Sequence, residues 1–237
     1  MSRINEIITK ERNQYILFII LSMVILLFSG ILYLSNPLSF QTYFGNLNPL
    51  IIIPLIITLG IVVFTYLFSC ELYKIYNKEN LRGILYCFII APILTINVIL
   101  IDLYFTYPED INVLFPQSLM FYPTMAYVVE ILFHLAALSL LLLFLTSLLK
   151  KVKLERIIWI CIVIVSLFEP IFQLIFGSST EFPLGIHICF GLHLYLFNFI
   201  QLSIFKRYDF LSMYLFRLVY YLFWHIIWGY IRLEILF

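Results

Sequence analysis

Residues 124–156 read TMAYVVEILFHLAALSLLLLFLTSLLKKVKLER. The run from Thr124 to Leu149 exceeds the roughly 20 apolar residues that an α-helix needs to cross about 30 Å of hydrocarbon. It stops at Lys150, Lys151, Lys153 and Arg156, and it carries Glu130 and His134 within it. The apolar residues are continuous rather than alternating with a period of two, which favours a helix over a barrel strand. One stretch thus states the whole problem: a membrane helix, a basic end, and two ionisable groups where they are costly.

Six more runs of the same kind flank it. The expected spans are 15–34, 49–69, 83–105, 124–149, 157–176, 184–205 and 211–235, a single all-α, polytopic bundle over 1–237. Pro54 and Gly60 fall inside the second run, which membrane helices tolerate because neighbours re-satisfy freed backbone groups. Composition agrees: 64% of residues are hydrophobic and 11% charged, against about 45–50% and about 25% in a soluble domain. So few charges could not cover a soluble surface, and the bilayer is the expected partner and solvent, in a multi-pass protein of the cell membrane. A net charge of +1 gives no argument for nucleic acid. Cys70, Cys87, Cys161 and Cys189 lie in or beside apolar runs without CxxC spacing, so neither a disulfide framework nor a zinc site is expected. The first run is long enough to remain as a helix, with no small-residue cleavage site after it.

The connections set an expected orientation. Arg3, Lys10 and Arg12 precede the first span; Lys74, Lys78 and Arg82 follow the second. Lys150, Lys151, Lys153 and Arg156 follow the fourth, and Lys206 and Arg207 the sixth. Only Arg217 and Arg232 of the 14 Lys and Arg lie elsewhere, and the other connections show Glu109, Asp110 and Glu181. The positive-inside rule then puts the N-terminus in the cytoplasm and the C-terminus outside.

Ionisable groups inside a bilayer cost roughly 2.5–3.5 kcal/mol on insertion scales and so mark function by default. Glu130 and His134 are four apart and share a helix face, as do Glu169 and Gln173, Arg217 and Tyr221, and Tyr221 and His225. Counting along the spans puts Glu130, Glu169, His187, His193 and His225 in the outer half of the membrane, with Arg217 deeper. Asp102, Arg232 and Glu234, near span ends, are expected to snorkel to the interface. His187 reads as interfacial, and Asn198 and Gln201 as interhelical hydrogen-bond partners. Trp224, Trp228, Tyr220 and Tyr221 read as packing residues, with the Tyr221 phenol beside His225 the exception.

A glutamate and a histidine in a dry cavity can activate a water, the glutamate as base, with a histidine, asparagine or arginine stabilising the oxyanion. The same residue types build proton relays. No HExxH metal motif is present, Ser139, Ser166 and Ser212 lack a GxSxG setting, and no cofactor is implied.

The order of motifs resembles the CPBP family, the intramembrane glutamic proteases related to CaaX prenyl proteases and bacteriocin-immunity membrane proteins. That family carries EExxxR, then FxxxH, then HxxxN on successive helices. Here Val129-Glu130-Ile131-Leu132-Phe133-His134 resembles the first motif, with Val129 at the first glutamate and His134 at the arginine. Phe168-Glu169-Pro170-Ile171-Phe172-Gln173 resembles the second, with Glu169 at the phenylalanine and Gln173 at the histidine. Phe205 to Tyr221 resembles the third, with Arg217 and Tyr221 near the histidine and asparagine. The resemblance covers about 123–229, and of the family's catalytic residue types Glu130 alone stands unchanged.

It implies an intramembrane peptidase acting on a membrane peptide or protein. Glu130 would be the base, His134 and Glu169 would orient the water, and His193 or His225 would stabilise the oxyanion. This reading expects a water-filled cavity. A non-catalytic partner-binding, immunity-like or assembly protein instead expects Glu130, His134, Glu169 and Arg217 to satisfy one another with no cavity. A transporter has less support, because no inverted repeat or matched pair of broken helices is evident.

Overall fold

The computed structural model describes residues 3–45, 47–176 and 184–237; Glu181, expected in an outer connection, lies outside them. The described chain is 84% helical and has no strand. A short helix α1 (Arg3–Lys10) leads into α2 (Arg12–Ser35) and α3 (Pro49–Ser69). Then come α4 (Leu81–Phe105), α5 (Ser118–Leu148), α6 (Leu154–Ile175), α7 (Leu184–Arg207) and α8 (Phe210–Leu236). Helices α2 to α8 are the seven that are long and apolar enough to cross a membrane.

Their outer faces confirm the solvent. Leu27, Leu55, Leu140, Phe144, Ile175 and Leu192 are all at least 60% exposed. Such a belt is intolerable in water and ordinary in lipid. The interior is aromatic: Phe18, Phe64, Tyr127 and Phe210 join α2, α3, α5 and α8, while Phe197, Phe216 and Tyr220 join α7 to α8. Gly60 sets one close crossing, since a Cβ there would lie 2.6 Å from Phe18 Cζ and 3.1 Å from Ile131 Cδ1.

Helix α5 begins before Pro123, not after it. A proline near a helix start removes only one backbone bond, and the Pro123 carbonyl accepts from the Tyr214 hydroxyl at 2.9 Å. Helix α6 is interrupted at Ser166–Leu167. Pro170 explains this, because it lacks the N–H that would bond the Ser166 carbonyl; Asn198 Nδ2 reaches that oxygen instead, at 3.4 Å. Two further irregularities are π-helical turns, Glu130–Ala136 in α5 and Leu222–Trp228 in α8.

On the basic side, the connection after α3 is clamped from two directions. Gln14 Oε1 accepts from the Ile75 and Tyr76 N–H groups, both at 2.9 Å. The Lys74 and Ile75 carbonyls accept from the Phe210 and Leu211 N–H groups. Those N–H groups are the unpaired donors at the start of α8, and Asp209 caps Ser212 N–H at 2.7 Å. The clamp fixes α8 against α2 and so fixes the depth of Arg217.

Candidate functional site: an arginine-centred cluster

Four helices converge on the Arg217 guanidinium. From α5, Glu130 Oε1 accepts from Arg217 Nε at 2.5 Å. From α6, Glu169 takes a two-pronged contact, Oε1 from Nη1 at 3.1 Å and Oε2 from Nη2 at 2.8 Å. From α7, Asn198 Oδ1 and Gln201 Oε1 accept from Nη2 at 3.2 and 3.1 Å. Within α8, Nη1 also donates to the Tyr221 hydroxyl at 3.2 Å. Gln201 Nε2 closes the ring by donating to Glu130 Oε1. Gln173 Nε2 reaches Glu169 Oε1 at 3.3 Å.

Local structure explains each placement. The break in α6 puts Glu169 in the first turn of a fresh helical segment, where the helix dipole favours a carboxylate. Asn198 and Gln201, three apart on α7, share a face. The π turn in α5 brings His134 Nδ1 within 3.1 Å of Glu130 Oε2, off the line of a hydrogen bond, and His134 Nε2 lies 3.8 Å from Glu169 Oε2.

The site is closed. Glu130 and His134 are 0% exposed, Arg217 1% and Glu169 4%, so no water-sized space adjoins the Glu130 carboxylate. Glu130 Oε1 is already taken up by the Arg217 guanidinium and the Gln201 amide.

Known proteins offer no match. No family model, no curated protein and no solved structure is similar to this chain. The site is therefore read from its own geometry.

Of the expected site residues, Glu130, His134, Glu169, Gln173, Arg217 and Tyr221 meet. His193 and His225 make no hydrogen bond to the Arg217 guanidinium, although the His225 ring meets the Tyr221 ring edge-on with centroids 4.9 Å apart. His193 is five residues from Asn198 and so on another face of α7, where its Nδ1 contacts Asn97 Nδ2 at 3.1 Å and its Nε2 the Tyr220 hydroxyl at 2.9 Å. His225 lies two turns beyond Arg217, roughly 12 Å along the axis. Its Nδ1 contacts Asn112 Oδ1 at 2.7 Å and its ring stacks on Tyr122.

The expected depth of Arg217 is also corrected. Its guanidinium stands level with Glu130 and Glu169, because a long side chain carries the charge away from its own Cα. Asp102 and Arg232 do not snorkel: both are 0% exposed and paired through Nε–Oδ2 at 2.7 Å and Nη2–Oδ1 at 3.0 Å. Trp228 Nε1 donates to the same carboxylate at 2.7 Å, and Arg232 also donates to the carbonyls of Tyr107, Pro108 and Glu109. Those loop carbonyls draw the guanidinium inward, a signal that single-span reading cannot supply. Glu234 is exposed. Among the described residues no three His, Cys, Asp or Glu side chains converge as a metal site.

Proposed function

We propose that this chain is a divergent CPBP-like protein of the cell membrane that binds or assembles with a membrane partner and has given up peptide cleavage. The observation that carries the reading is the Arg217 guanidinium seated between Glu130 and Glu169, with all its donors engaged. A glutamic peptidase needs a water beside its base, and that place holds a cation and an amide instead. The resemblance is supported by a convergence. Glu130, Gln173, Arg217 and Tyr221, which it aligns with motif positions, belong to one connected set. The N-terminus is taken as cytoplasmic.

The test compares the purified protein with Glu130→Gln and Glu169→Gln, following thermal stability beside cleavage of a broad pool of membrane peptides. The expected result is no cleavage by any of the three and markedly lower melting of both variants. Cleavage that vanishes in either variant while its melting temperature holds would restore the peptidase and overturn this reading.

A further inference from the structure

Helix α4 stands at the edge of the bundle, packed chiefly on α7 and α8. Only 22% of its apolar stretch is buried, against 33–50% in the other six spans. Its outer face carries Tyr86, Ile89, Ile93, Ile96, Leu100 and Leu103, each 41–60% exposed. They recur at alternating steps of three and four residues, the spacing of a seam that packs against a second helix. Lipid alone would satisfy an apolar seam. It does not satisfy Asn97, which flanks the seam one turn from both Ile93 and Leu100.

Asn97 is exposed. It lies eight residues before Phe105, the nearer end of the span, so roughly 12 Å inside the apolar stretch. Its Nδ2 donates to His193 Nδ1 at 3.1 Å. An amide offers two donors and two acceptor sites, and among the described residues the second N–H and Oδ1 of Asn97 have no partner. Hydrocarbon supplies none, so an amide left open to lipid is costly. The fold turns the amides of Asn198 and Gln201 inward onto Arg217, but it turns this one out.

A polar side chain on a lipid-facing surface is satisfied by a neighbouring helix that carries its complement at the same depth. Two copies of this chain insert in the same sense. Across a two-fold axis normal to the membrane their α4 helices run parallel, and each Asn97 stands level with the other. An amide is its own complement: Oδ1 of one accepts from the free N–H of the other, and symmetry supplies the reverse bond. Seam spacing and hydrogen-bond inventory point separately to one occupant.

We propose that α4 is the interface of a homodimer, closed by the Asn97 amides of two copies with the seam from Tyr86 to Leu103 packed between them. The interface is independent of the Arg217 cluster and of the function read from it.

Full-length copies carrying a donor or an acceptor dye after Phe237, mixed in lipid vesicles and diluted with lipid, report association by energy transfer. Transfer should persist at low density and fall when unlabelled protein competes. Asn97→Leu should weaken association about tenfold, the worth of an interhelical hydrogen-bond pair in lipid. Ile93→Trp, which crowds the seam and leaves the His193 contact intact, should also weaken it. Leu140→Trp, on the outer face of α5 and 69% exposed, should leave it unchanged. A chain that stays monomeric, with α4 covered by lipid or by another protein's helix, would overturn the proposal. So would either α4 variant associating as tightly as the parent, or Leu140→Trp weakening association equally. No cleavage assay enters, so this outcome is decided separately from the function above.

Discussion

At Arg217 the chain commits its largest local electrostatic stake. Removing one partner of a buried ion pair costs about 3–5 kcal/mol, because the remaining charge is stranded. Arg217→Met should therefore lower stability by at least about that amount, since two carboxylates lose their cation at once. Adding Glu130→Gln and Glu169→Gln to that variant should recover most of the loss, because a neutral, similarly shaped interior carries no stranded charge. Chemical unfolding in detergent, followed by tryptophan fluorescence, would measure both. A triple variant no more stable than the single one would mean that Arg217 acts through shape instead. Much of this was legible in residue spacing: Glu130 and His134, Glu169 and Gln173, and Arg217 and Tyr221 are each four apart and each pair meets. Spacing did not reveal the level at which they meet. Depth counted from Cα positions ignores the length of an arginine, and the two amides on α7 look like generic polar contacts until the guanidinium is seen between them.

Helices show the same division between what periodicity carries and what it omits. Seven spans follow from apolar runs, and their observed bounds differ from expectation by a few residues except at α5, which starts at Ser118. The break in α6 was written in Pro170, whose missing N–H frees the Ser166 carbonyl for Asn198. The π turns have no comparable mark, since residues 130–136 and 222–228 hold neither proline nor glycine. Both fall on segments carrying a buried or half-buried histidine, as π turns often fall on functional sites. Crossings between helices depend on small residues that a span count passes over. Gly60→Ala would push a methyl group against Phe18 and Ile131, and overpacking of this kind costs about 1–3 kcal/mol. Phe18→Leu in the same chain should relieve most of it. Thermal melts of the single and double variants decide the matter: if Gly60→Ala alone melts like the parent, α2, α3 and α5 are not in close contact there.

For the whole molecule, charge is sorted by side as strictly as polarity is sorted by depth. Lys74, Lys78, Lys150, Lys151, Lys153 and Arg156 all sit on connections of one parity, while Arg217 and Arg232 are buried and paired. Those two arginines therefore say nothing about orientation, and the remaining basic residues speak with one voice. Moving Lys or Arg across the membrane is opposed, so connections rich in them stay in the cytoplasm. With seven spans the two ends must lie on opposite sides. A tag placed before Arg3 should be protected from protease in intact cells and cut only after lysis, while a tag after Phe237 should be cut in intact cells. The reverse pattern would place the basic connections outside and break the positive-inside argument for this chain.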